Sequence, residues 1–381
     1  MKRRLDLFIF ADALGWKLAE QQAVLTDLLP RRMPCETLLG YSATCDPTIL
    51  TGAWPRDHRH FSFFVKATGD SPFRALRWLA SLPHRLAAHH RVRHRLSRWL
   101  AARQGYTGYF QLYSVPFWAL PFLDYTEKRD IYEPGGINGG QPTIFECWQQ
   151  SGRPWMRSDW RKGDDRNFEE ANAAVDGGEV ELMYLFTAGL DATMHRHGPE
   201  HPKVTEAFTR FGHRVEALYE RAQKRYADVF IYLFSDHGMT RVTRQSDLRP
   251  RFEKLGLQFG RDYHAVWDST MARFWFNDVP ARRDALTYLQ AQPEGRLLAE
   301  AELQAWGCDF PDQQFGEHFF LLEPGALFVP SFLNLGFVAG MHGYAPEHPD
   351  SRACWLTNHP TATARRLVDI YPVMRAAAES K

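Results

Sequence analysis

The chain predicts an α/β fold: a mostly parallel central sheet flanked by helices on both faces, with a helical and aromatic cap insertion at about residues 70–150 within one domain spanning 1–381. Three observations carry this. Apolar runs recur at residues 7–10, 182–186 and 229–234, as expected of strands buried on both faces. Each run leads to a residue able to bind a metal: Asp12, Asp191 and the Asp236-His237 pair. Open α/β sheets place ligands just beyond the carboxyl ends of their strands. Between the last two runs, residues 203–227 have the polar amphipathic pattern of a helix in a right-handed βαβ crossover.

Taken in order, residues 1 to about 65 read as strand, helix and a hydroxyl-bearing turn. From Ser71 to Gln104 there is no acidic residue, but there are eight arginines and four histidines. Leu76, Leu79, Leu82, Leu86, Val92, Leu96, Trp99 and Leu100 recur there at helical spacing. An aromatic segment follows from Tyr106 to Tyr125, where Pro116 and Pro121 preclude a long helix. This region is expected to cap the site. Alternation resumes beyond 151, with a strand at 272–276, a helix at 280–291 and a last helix at 361–377. There is no internal repeat.

Composition narrows the function. A length of 381 residues with 44% apolar side chains supports a sizeable core. A net charge of +1 gives no reason to expect a nucleic-acid polymer as partner. The basic stretch 71–104 reads first as a solvated helix packed on the core, and second as a peripheral contact for anionic lipid headgroups. The early apolar run is too short for a signal peptide and Asp12 interrupts it. The cysteines at 35, 45, 147, 308 and 354 are scattered and odd in number, so a cytoplasmic protein with reduced thiols is expected.

Asp191 and His195 stand four residues apart, on one face of a helical turn, where they can share a metal ion. Asp236 and His237 are adjacent at a strand end, and Gly238 is expected to permit the turn that lets both reach a site. Asp12 and His342 are weak signals alone and gain weight in company. The stretch 40–52 places Ser42, Thr44 and Cys45 before a helix expected to end at Gly52. A hydroxyl at a helix N-terminus sits where backbone N–H groups and the dipole favour phosphate. Ordinary capping explains the same residues without chemistry.

Four phrases make the chain resemble the alkaline phosphatase superfamily, in its type I phosphodiesterase/nucleotide pyrophosphatase branch. They are Pro47-Thr48-Ile49-Leu50-Thr51-Gly52 with Pro55 and His58, Leu190-Asp191 through His195 to Pro199, Ser235-Asp236-His237-Gly238-Met239, and Gly340-Met341-His342-Gly343-Tyr344. The resemblance omits residues 70–150. It implies an alkaline-phosphatase-like fold and two divalent metal ions, zinc with manganese as the alternative. Asp191, His195 and His342 would hold one, and Asp12, Asp236 and His237 the other. Ser42 would be the nucleophile, with Thr44 the alternative. The chain departs from the family at Cys45, where an asparagine is usual, and Asp46 adds a carboxylate that would repel a dianionic phosphate.

The resemblance implies a phosphodiesterase or pyrophosphatase acting on a small-molecule or lipid-linked phosphoester through a covalent phosphoseryl intermediate. The alternatives are a phosphomonoesterase of the same superfamily and a non-catalytic binding protein on the same fold. A sulfatase is disfavoured because Cys45-Asp46-Pro47-Thr48-Ile49 lacks the arginine of the maturation motif.

Overall fold

The computed structural model describes residues 4–81 and 89–380. Its central sheet has six strands, in the spatial order Arg31–Cys35, Ala353–Thr357, Asp228–Phe234, Arg4–Ala11, Leu182–Thr187 and Trp155–Arg157. The strand Ala353–Thr357 runs antiparallel to both its neighbours, and the other pairings are parallel. The three apolar runs thus lie side by side at the centre, with Phe8 in register with both Tyr184 and Tyr232. Their carboxyl ends share one edge.

Alternation along Arg4–Ala11 explains why its stretch from Leu7 to Ala11 is apolar without a break. Leu5, Leu7 and Ile9 join one core with Phe168, Val175, Phe208 and Val215 from the helices Gly163–Gly177 and Pro202–Gln223. Phe8 and Phe10 join another with Ile49, Trp148 and Met374 from the helices Ser42–Thr51, Ile144–Ser151 and Ile370–Glu379. Successive side chains point to opposite faces, and both faces are covered.

A second body with its own core lies beside the sheet. Four antiparallel strands, in the order Tyr263–Trp267, Met271–Phe276, His318–Leu322 and Gly295–Leu297, pack with Phe73, Leu76, Leu100, Leu112, Val115 and Leu123. The described residues between 70 and 125 are therefore built into this second core. Buried Arg273 ties the pieces together: it pairs with Asp268 at 2.9 Å and donates to Ser62 Oγ and the Phe64 carbonyl.

The basic segment differs from the uninterrupted helical spacing expected. A 3-10 helix covers Arg74–Ser81 and an α-helix covers His90–Gln104, while Leu82 and Leu86 lie outside the described residues. Val92 and Trp99 face solvent, whereas Arg93 is buried. The Arg93 guanidinium lies 3.9 Å over the Phe117 ring and donates to the Val115 carbonyl at 2.6 Å, which satisfies the charge indoors. The last helix starts at Ile370, not 361. Upstream, the Asp369 carboxylate accepts from the backbone N–H groups of Arg365 and Arg366, holding those residues in a capping turn.

Candidate metal centre and catalytic pocket

Each candidate side chain is delivered by the end of a regular element. Asp12 follows the first strand, its N–H bonded to the Thr187 carbonyl of the neighbouring strand. Asp191 and His195 lie on the helix Gly189–His197. The Asp164 carboxylate caps the start of that helix, accepting from Ala188 N and Gly189 N at 2.9 and 3.0 Å. Asp236 and His237 leave the strand Asp228–Phe234, and His342 follows the short strand Gly340–Met341. Gly238 is needed for space: a Cβ there would lie 2.2 Å from the Asp350 carbonyl oxygen. Its φ is not in the left-handed region, so close packing, not the turn, requires glycine.

The six residues gather into two groups, Asp191, His195 and His342 in one, and Asp12, Asp236 and His237 in the other. Within each group the available ligand atoms lie within 4.8 Å of one another. The His237 and His342 rings stack at 3.7 Å, so the groups adjoin.

Both groups look built for cations. His237 Nδ1 lies 2.9 Å from the Gly238 carbonyl, and His195 Nδ1 lies 2.8 Å from that of Gly340. A carbonyl accepts only, so Nδ1 carries the proton in each and Nε2 presents a lone pair when the ring is neutral. Those Nε2 atoms sit 2.9 Å from Asp236 Oδ2 and 3.1 Å from Asp191 Oδ1. An acceptor facing an acceptor is stable only with a proton or a metal ion between them. Asp12 Oδ1, Asp191 Oδ1 and Asp236 Oδ2 are all buried without a hydrogen-bond partner. Burial, with Asp236 and Asp191 nearby, pushes the Asp12 carboxyl well above its ordinary range. Burial opposes protonation of His237 and His195, yet Asp236 and Asp191 raise both imidazoles above the usual value. Burial and the two neighbouring histidines hold His342 well below it.

Ser42 is the first residue of the helix Ser42–Thr51, and its Oγ lies 3.2 Å from His237 Nε2. Tyr41 occupies the cap position and supplies no capping side chain. The helix closes at Gly52, whose φ of +69° suits glycine. Thr44 is turned inward: it is fully buried and donates to the Phe61 carbonyl at 2.7 Å. Cys45 also faces the core, and burial pushes its thiol well above the ordinary range.

The sequence matches the family described as Type I phosphodiesterase / nucleotide pyrophosphatase over residues 41–308. The chain belongs to this family. Its fold is that of murine ectonucleotide pyrophosphatase / phosphodiesterase 5, with a TM-score of 0.68 at 15% identity, covering 100% of this chain and 96% of that one. An inactive threonine-to-alanine form of the murine protein, in complex with AMP, superposes equally well at 16% identity. The human protein of the same name gives 0.65 at 14%. The match covers residues 70–150 as well, where the resemblance was not expected to reach. Among curated proteins, the catalytic subunits of mouse and human GPI ethanolamine phosphate transferase 3 are 29% identical over 77 residues. That match spans 20% of this chain and 7% of theirs.

A cavity opens beside Ser42. The cavity measures about 500 Å³ and is lined by Asp12, Ser42, Asp191, His195 and His342, with Asp46 facing it. Its far wall is aromatic, from Phe63, Tyr109, Tyr113, Tyr132 and Trp160. The aromatic run 106–125 signalled part of this wall. Glu127, Tyr132 and Trp160 carried no sequence signal, because only the fold brings them to the pocket. Tyr41 was missed too: its hydroxyl accepts from Thr270 N at 3.0 Å, joining the second core to the site.

Proposed function

We propose that the protein is a metal-dependent phosphodiesterase or pyrophosphatase that acts through a covalent intermediate on Ser42. The observation that carries this is the position of Ser42 Oγ, 3.2 Å from His237 Nε2, at an uncapped helix N-terminus beside two adjoining three-residue ligand groups. The donor sets fit divalent cations, because their imidazole nitrogens and carboxylate oxygens face one another as acceptors. We assign Asp191, His195 and His342 to one ion, and Asp12, Asp236 and His237 to the other. Mixed nitrogen and oxygen ligation suits zinc, with manganese tolerated. Two such ions, when bound, neutralise the attacking and leaving oxygens of an in-line displacement and favour an ionised hydroxyl.

The chain's own residues supply the rest. Ser42 Oγ attacks phosphorus, and the ester oxygen on the opposite side departs. The helix Ser42–Thr51 turns its N-terminus to the phosphoryl oxygens, and its dipole favours their charge. Water then attacks the phosphoserine and frees Ser42. Positioning and charge stabilisation account for most of the rate in such transfers, so no dedicated proton donor is required.

A diester is favoured over a monoester because, among the described residues, no Lys or Arg lines the cavity. A monoester carries a second phosphate charge, which the carboxylate of Asp46 in the lining disfavours. The test is hydrolysis of bis-p-nitrophenyl phosphate against p-nitrophenyl phosphate. Faster diester turnover supports the reading; a preference for the monoester reverses it.

We take residues 1–381 as one catalytic domain, with 70–150 forming the pocket wall. A cytoplasmic setting is supported by the five free cysteines, and among the described residues no helix is long and apolar enough to cross a membrane. Peripheral contact with anionic lipid headgroups is supported by Arg91, Arg95, Arg98 and Trp99, which face solvent on the helix His90–Gln104. Sedimentation with vesicles containing phosphatidylserine, against neutral vesicles, tests it.

A further inference from the structure

The wall that the second body gives to the cavity carries a polar side chain with no part in the reaction so far. Ser269, Leu333 and Asn334 line the cavity there. Asn334 closes a tight turn, in which Ser331 N donates to the Asn334 carbonyl at 2.8 Å.

Two hydroxyls decide which way the Asn334 amide faces. Ser331 Oγ accepts from Leu333 N and Asn334 N at 3.2 and 3.0 Å. Both its lone pairs are thereby engaged, so its proton is donated, and the nearest acceptor is Asn334 Oδ1 at 2.9 Å. Ser269 Oγ donates to the same oxygen at 2.8 Å. Both serines are buried, so Oδ1 is held firmly and Nδ2 is left on the other side of the amide. One Nδ2 N–H reaches the Gly336 carbonyl at 3.3 Å, and the other has no partner among the described residues. A preset amide with a free N–H can meet developing negative charge without reorganising.

Its place in the pocket says which oxygen it serves. Ser269 precedes Thr270, whose Oγ1 donates to the Gly343 carbonyl at 2.8 Å, one residue beyond His342. Asn334 therefore stands on the side of the Asp191, His195 and His342 group. Ser42 Oγ lies at the other group, 3.2 Å from His237 Nε2. In an in-line displacement the departing oxygen leaves on the side away from the nucleophile. We propose that Asn334 is a catalytic residue whose free Nδ2 N–H donates to the departing ester oxygen as that oxygen gains charge.

This rests on the reading of Ser42 as nucleophile and adds a donor that Ser42 and the six ligand residues do not supply. Ser42 releases its proton to solvent, the Oγ–P bond forms, and the P–O bond to the departing alcohol breaks. The electron pair stays on the departing oxygen, which Asn334 meets with a hydrogen bond while keeping its own proton. Water protonates that oxygen and the alcohol leaves. A second water then adds to phosphorus, the Oγ–P bond breaks, and Ser42 regains a proton.

Methyl aryl phosphodiesters, with departing phenols running from p-nitrophenol to phenol, test this in the zinc-loaded full chain. A donor at the departing oxygen matters most where that oxygen carries most charge, so its loss steepens the dependence of rate on phenol acidity. In Asn334→Ala, kcat/KM should fall about tenfold for the p-nitrophenyl ester and about a hundredfold for the phenyl ester, the scale of one lost oxyanion donor. Asn334→Leu keeps the volume without the N–H and should steepen the dependence in the same way. Metal content and Tm identify a variant that has kept its fold. In such a variant an equal loss for every ester, or no loss, would overturn the proposal. If the wild type leaves every diester intact, the diesterase reading has failed by itself. Phosphomonoesters of the same phenols then judge Asn334 by the same change of slope, and a chain inert toward both series would overturn the proposal as well.

Discussion

At the scale of single residues, Ser42 carries the sharpest expectation. Ser42→Ala removes the hydroxyl and leaves all six ligand side chains in place. Diester turnover should drop by about three orders of magnitude or more, while metal content measured by mass spectrometry stays unchanged. Full activity in this variant would move the nucleophile elsewhere. Thr44 is a poor substitute, because its hydroxyl is spent on the Phe61 carbonyl inside the core. Glu127 gives a pH signature. Its carboxyl is raised from 4.5 to about 8 in the fold. Between these values the unfolded chain releases the proton and the folded chain keeps it. The folded state binds more protons, so stability falls as pH rises through that window and levels off above it. Glu127→Gln should therefore gain Tm relative to the wild type between pH 5 and pH 8. A difference that does not change with pH would contradict the burial argument.

At the scale of elements, the strand ends were legible and the caps were not. The three apolar runs announced the central strands because burial on both faces demands continuous apolar residues, and the ligand types beyond them marked the active edge. Nothing near Asp191 in sequence pointed to Asp164, whose carboxylate caps the Asp191 helix from another helix. Asp164→Ala should cost about 1 kcal/mol of stability, the usual loss of a helix cap. It should also weaken metal retention, because Asp191 loses its anchor; urea titration and competition with a chelator read the two effects. Helical spacing misled in the basic segment. A spacing rule assumes one uninterrupted helix; the described residues form a 3-10 helix over Arg74–Ser81 and an α-helix over His90–Gln104, on which Val92 and Trp99 face solvent while Arg93 turns inward.

At the scale of the molecule, the site sits where two bodies meet. The ends of the central strands and the helix Gly189–His197 carry every candidate ligand except His342, which follows the short strand Gly340–Met341. The second core supplies the hairpin around Thr270 that holds Tyr41, and Arg273 joins that hairpin to the segment before the aromatic wall. Sequence alone suggested strands between 250 and 330 but not their packing with residues 70–125, since long-range apolar contacts leave no local pattern. Arg273→Leu should destabilise the protein by about 3–5 kcal/mol, because Asp268 would stay buried without its partner. Replacing both residues with leucine should cost less than the single change, as a double-mutant cycle in urea would show.

We propose that metals held by the two ligand groups drive ester cleavage at Ser42. Metal content of the purified chain, paired with bis-p-nitrophenyl phosphate turnover before and after chelation, tests it most directly. The expected result is about two divalent ions per chain, with activity abolished by the chelator and restored by zinc. A chain that holds no metal and stays inert after zinc is added would contradict the account.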